Sequence, residues 1–81
     1  MAEDETIIKS KIEELRKEYN LIKASLSKLR KEGKDVRLIE YKAANIPSKL
    51  EYISITLSMS DITKVVILLQ EIKMEITNIE K

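Results

Sequence analysis

VRLIEYKAANIPSKLEYISITL, residues 36–57, carries an apolar ladder at Val36, Ile39, Ala43, Ile46, Leu50, Ile53 and Leu57 that passes the chain's single proline, Pro47, without losing step. Alternating intervals of three and four gather such residues on one side of a helix, the spacing of helices packed along a coiled-coil-like seam. The same rhythm precedes this stretch at Ile8, Ile12, Leu15, Tyr19, Ile22, Leu26 and Leu29, and follows it at Ile62, Val65, Leu69, Ile72, Ile76 and Ile79. Three ladders predict an all-α protein: an antiparallel three-helix bundle, or a helical hairpin joined by a shorter third helix, with heptad packing.

Pro47 is the irregularity in that pattern. It has no amide hydrogen and crowds the carbonyl of Ala43, which costs about 3 kcal/mol inside a helix. Because positions 39, 43, 46, 50 and 53 hold one phase, the first reading is a continuous second helix kinked at Pro47. The alternative is two shorter helices meeting at Asn45-Ile46, with Pro47 in the first turn of the second.

Caps place the boundaries of a single helical domain over residues 1–81. Gly33 can take the left-handed conformation that closes helix 1 at about 6–32, and Asp35 offers a carboxylate to the free amides opening helix 2 at about 35–58. Ser60 or Asp61 can cap helix 3, at about 61–79. The turns at Glu32-Gly33-Lys34-Asp35 and Ser58-Met59-Ser60-Asp61 are short enough to dictate an up-down-up course.

Eighty-one residues suit one small domain, which buries a modest core unless it pairs with something. With 36% charged and 43% apolar residues, one glycine and one proline, the composition is that of a well-solvated helical protein. The weight of isoleucine, lysine and glutamate is compatible with a heat-adapted source, and equally with an AT-rich genome. No cysteine is present, so no disulfide framework exists. The acidic start Met1-Ala2-Glu3-Asp4-Glu5 is unlike a secretory signal and implies a cytoplasmic location. The apolar run Val65 to Leu69 is far short of the roughly 20 residues of a membrane span.

Catalysis finds little in these residues. Histidine and cysteine are both absent, which removes Ser-His and Cys-His nucleophile pairs and the nitrogen and sulfur ligands of zinc. Glu13, Glu14, Glu71 and Glu75 are the nearest approach to paired carboxylates, at a spacing that any charged outer helix face produces. The Gly33-Lys34 pair lacks the other residues of a phosphate loop. The reading is a non-enzyme with no catalytic residue, cofactor or metal.

Function is sought instead in apolar residues that the ladders leave over. Val66, Ile67 and Leu68 lie off the seam of helix 3, and Leu38, Tyr41, Tyr52, Ile55 and Met59 form a second stripe on helix 2. A helix apolar on more than one face is central or sits in an interface. Tyr52, Ile55, Met59, Val66, Ile67 and Leu68 are therefore expected at a partner or homo-oligomer interface, most simply a two-fold dimer. Helix 3, at about 27 Å against about 35 to 40 Å for the others, is expected to leave the Gly33 end open. Leu26, Leu29, Val36, Leu38 and Ile39 would then form an exposed apolar tip able to dock a partner helix.

Charge supplies the remaining alternative. Between Lys23 and Lys42 stand seven cations against three acids, although the whole chain carries only +1. Lys28, Arg30, Lys31, Lys34 and Arg37 at the tip are candidate contacts for an anion or nucleic acid. Against this, no aromatic residue lies within the densest basic run to serve as a stacking platform, and Asp35 would compete for the helix amides. The leading expectation is a protein-interaction or assembly module that self-associates. The alternatives are a small nucleic-acid-associated protein and a regulatory adaptor that takes a partner helix at the Gly33 end.

Overall fold

A computed structural model describes residues 2–80, with side chains from Glu5 onward, and all regular structure in it is helical. The elements are α1 (Ala2–Lys31), α2 (Arg37–Ala43), α3 (Ile46–Thr56) and α4 (Met59–Glu80). They form a rod of 47 × 16 × 16 Å, its long dimension set by α1, whose 30 residues span about 45 Å.

Gly33 closes α1 through a Schellman arrangement. The Lys34 amide donates to the Leu29 carbonyl at 3.0 Å and the Gly33 amide to that of Arg30 at 3.0 Å. Both bonds require the residue between helix and loop to turn left-handed, and Gly33 has φ +85°. The chain then reverses. Arg30 in α1 faces Glu40 in α2, and Lys42 in α2 faces Glu75 in α4. Glu18 pairs with Lys73, and Ser25 shares a cleft with Glu80. Residue numbers rise together between α1 and α4 and oppose each other between α2–α3 and both, so the course is up, down, up.

The second ladder occupies two helices rather than one kinked helix. The helix stops at Ala43 and resumes at Ile46, with Pro47 in the first turn of α3. An amide at Pro47 would have donated to Ala43; without it the ladder of hydrogen bonds opens. The Ala44 amide is shared between the Glu40 and Tyr41 carbonyls, at 3.0 and 3.3 Å, and Asn45 accepts from the Lys49 amide at 3.1 Å. Ala44 (φ −60°, ψ −28°) and Asn45 (φ −87°, ψ −7°) nevertheless stay in the right-handed helical region. Each junction residue therefore still advances the chain by about one helical step, which is why the apolar phase survives the break.

Helix ends differ from the expected ones in ways the bonding explains. Asp35 is not the first residue of the second rod; α2 opens at Arg37 after Val36, and Asp35 Oδ1 accepts from the Arg37 amide at 3.2 Å. Leu57 ends α3 in the left-handed conformation (φ +54°), its amide donating to Ile53 O at 2.7 Å. A non-glycine residue pays about 1 to 2 kcal/mol of strain there, offset by packing of the Leu57 side chain against the core. The turn consequently comes early and α4 starts at Met59, ahead of Ser60 and Asp61. The Ser58 carbonyl accepts from the Ile62 amide, and the Ser58 and Ser60 hydroxyls lie 3.0 Å apart.

One core runs the length of the rod. It takes Ile8 through Leu29 from α1, Val36, Ile39 and Ala43 around α2, Ile46, Leu50 and Ile53 from α3, and Ile62 through Ile76 from α4. Tyr19, Leu57 and Ile79 complete their ladders only half-buried. No buried polar or charged residue interrupts the core among the described residues.

The Gly33 turn offers a clean test of the local argument. A Cβ added there would meet nothing within 4 Å, so backbone strain alone decides the outcome. Gly33→Ala is expected to lower stability by about 1 to 2 kcal/mol in urea unfolding, with Gly33→Asn costing less because asparagine tolerates the left-handed region.

Candidate interaction surfaces

The apolar tip expected at the Gly33 end is closed. Leu26, Leu29, Val36 and Ile39 are all at most 4% exposed, and only Leu38, at 65%, reaches solvent. The reason is length. The α4 helix has 22 residues, about 33 Å, while the second rod spans only Arg37 to Thr56, about 30 Å. Glu80 therefore reaches the turn and shares a cleft with Ser25, Lys28, Leu29, Glu32 and Lys34.

The basic residues around that turn divide into two groups. Arg37 is held by Asp35: its Nε donates to Oδ1 at 3.1 Å and a terminal nitrogen to Oδ2 at 3.2 Å. These bonds hold the Asp35 carboxyl below the ordinary aspartate range and raise the Arg37 guanidinium above its own. Arg30 lies 3.5 Å from Glu40 across the α1–α2 hairpin. Lys28, Lys31 and Lys34 are exposed on the same end. Two of the five cations thus serve the hairpin, and a seven-residue α2 presents no sizeable dipole to an anion.

Along the flanks, ion pairs fix the position of α4. Lys42 Nζ donates to Glu75 Oε1 at 2.7 Å with both side chains about one-third exposed, and Lys73 pairs with Glu18. Glu75 Oε2 is buried without a hydrogen-bond partner, so Lys42 is the cation that compensates this carboxylate. In the α1–α2 cleft, Lys23 sits 5.7 Å from the centre of the Tyr19 ring.

The off-seam hydrophobes separate in the same way. Val66 and Leu68 are half-buried and pack against the core, so they serve the fold and not an outer face. Sequence periodicity missed this because α4 has neighbours on two sides: α1 lies against one shoulder, marked by Lys73, and α2–α3 against the other, marked by Glu75. Ile67 falls between the shoulders and is 51% exposed, with Met74 one heptad on at 67%.

On α2–α3 the second stripe stands in solvent. Leu38, Tyr41, Tyr52, Ile55 and Met59 are all exposed large hydrophobes. Because the inner ladder keeps phase across Ala44-Asn45, the outer one does too. It reads Leu38, Tyr41, Asn45, Ser48, Tyr52, Ile55, all exposed, at intervals of three and four. Asn45, Ser48 and Tyr52 also line a cleft toward Asp61 and Lys64 of α4. Leu21, missed by the sequence reading because it stands alone off the first ladder, is exposed beside the α1–α4 cleft.

Among the described residues there is no cluster of three or more acidic residues placed to hold a metal ion, and no helix is long and apolar enough to cross a membrane. No protein-family model matches the chain, and neither the curated proteins nor the solved structures gave a match.

Two outcomes follow from the ion pairs. Lys42→Met, which strands the Glu75 carboxylate, is expected to destabilise the protein more than Glu75→Gln does in thermal unfolding. Asp35 is expected to titrate by NMR below the ordinary aspartate value, and Arg37→Gln to return it there. With the folded value depressed, the Asp35 contribution is complete above the ordinary value and disappears as pH falls through the lowered one.

Proposed function

We propose that this chain is a protein-interaction module, built as a small antiparallel bundle of the coiled-coil type, that self-associates through the outer face of α2–α3. The observation that carries the reading is the row Leu38, Tyr41, Tyr52 and Ile55. Four large apolar side chains, each more than 60% exposed, share one face of a rod whose opposite face already fills the core. Scattered surface hydrophobes are ordinary, whereas an aligned row two turns long at each end is the pattern of a helix that meets another helix.

Met59 and Ile67 extend the apolar area toward α4, and both are about half-exposed. Tyrosine suits such a surface because its ring buries area while its hydroxyl stays wet. The nucleic-acid reading gains no comparable support, since Arg30 and Arg37 are engaged within the hairpin. The adaptor reading in its original form loses its groove, because the Gly33 end is covered.

Self-association predicts a solution mass that rises from monomer to dimer with concentration in light scattering. Tyr52→Ser and Ile55→Ser, both at exposed positions, are each expected to raise the dissociation constant about tenfold or more with helical content unchanged. A mass that stays monomeric across the accessible concentration range rejects the proposal.

A further inference from the structure

The outer row on α2–α3 reads almost the same in both directions. From the Arg37 end it runs Leu38, Tyr41, Asn45, Ser48, Tyr52, Ile55: aliphatic, tyrosine, amide, hydroxyl, tyrosine, aliphatic. Its midpoint lies between Ile46 and Pro47, beside the break at Ala44-Asn45. In a two-fold contact between identical chains, the same patch must complement its own reversed image. A row with this mirror order does so, and one graded from apolar to polar would not.

Resting on the self-association just proposed, we infer that the occupant of this face is a second copy of the chain, lying antiparallel with its two-fold axis at Ile46-Pro47. In that register Leu38 meets Ile55 of the second copy, Tyr41 meets its Tyr52, and Asn45 meets its Ser48. Every layer then joins a residue that begins a three-residue step to one that ends such a step, as antiparallel heptad packing demands. Burying the amide of Asn45 against the hydroxyl of Ser48 satisfies both by a hydrogen bond. Any axial slip would set one of them against a tyrosine ring or an aliphatic side chain. A polar layer within an apolar seam fixes register in this way at some expense in stability.

Charges beside the row agree. Arg37, Ala44 and Glu51 form the flank directly ahead of Leu38, Asn45 and Tyr52. In an antiparallel pair this flank meets its own reversed copy, so Arg37 faces Glu51 of the second copy at both ends, and the uncharged Ala44 lies near the axis. A parallel pair would bring each of these positions beside its own copy's equivalent end and lose the pairing. The other flank holds Lys42 and Lys49, which turn toward α4, where Lys42 is tied to Glu75. The break takes on a role here as well: with the axis beside it, α2 of each copy lies along α3 of the other.

The absence of cysteine makes the test direct. Leu38→Cys and Ile55→Cys are prepared separately, both at exposed positions, and oxidised alone and as an equimolar mixture. The two sites stand about 25 Å apart along the rod, so in the antiparallel register neither variant can bridge to itself. The mixture is expected to give a disulfide-linked heterodimer at least tenfold faster than either variant alone. Self-linking of Leu38→Cys as fast as the mixture links would overturn the antiparallel register in favour of a parallel one. Dimers by mass without cross-linking in the mixture would overturn this register while leaving self-association intact, and a monomeric mass for the unmodified chain would remove both.

Discussion

The inner ladder of the second rod is the constraint on which everything else depends. Val36, Ile39, Ala43, Ile46, Leu50 and Ile53 are buried to between 0 and 4% exposure, with α4 against both halves of the rod and α1 against α3. Were the phase lost at Pro47, the half beyond it would rotate its isoleucines into solvent, and no single core could run the length of the molecule. Ala44 and Asn45 prevent that by keeping right-handed dihedrals while giving up helix hydrogen bonds. The break costs bonding, and the packing is unaffected.

This separation of geometry from bonding explains what was legible in the sequence. Ladder membership was readable residue by residue, because burial follows angular position alone. Whether the second rod was one helix or two was not readable from phase, since both forms advance the chain equally. The decisive fact was the missing Pro47 amide, whose consequence depends on whether the Ala43 carbonyl can be left without that donor. Gly33 was legible because its φ requirement is intrinsic, whereas Leu57 in the left-handed region was not. Nothing marks a leucine for that role except the core it packs on.

The surfaces were less legible than the core, for a physical reason. Exposure depends on where neighbouring helices end, and a shift of a few residues at each boundary is enough to reverse it. Shortening the second rod at both ends and lengthening α4 carried Glu80 to the Gly33 turn and covered Leu26, Leu29, Val36 and Ile39. Val66 and Leu68 were absorbed because α4 lies against two rods at once. Leu38, Tyr41, Tyr52, Ile55 and Ile67 stayed outside because they point away from every neighbour, an angular property that periodicity does capture. Asp35 and Arg37, both within the basic run, turned out to engage each other, a contact that charge counting alone does not resolve.

The shortness of α2 has a kinetic meaning of its own. Seven residues give too few internal hydrogen bonds to sustain a helix in water, so Arg37–Ala43 persists only through the burial of Val36, Ile39 and Ala43 and the clasps to Glu75 and Arg30. The Schellman turn on one side and the interrupted bonding on the other mean that this segment can detach without unwinding α1 or α3. The molecule therefore contains a cooperative unit smaller than itself. When that unit opens it uncovers the Gly33 end of the core, so the surface hidden in the resting fold becomes transiently available at a frequency set by α2 rather than by global unfolding.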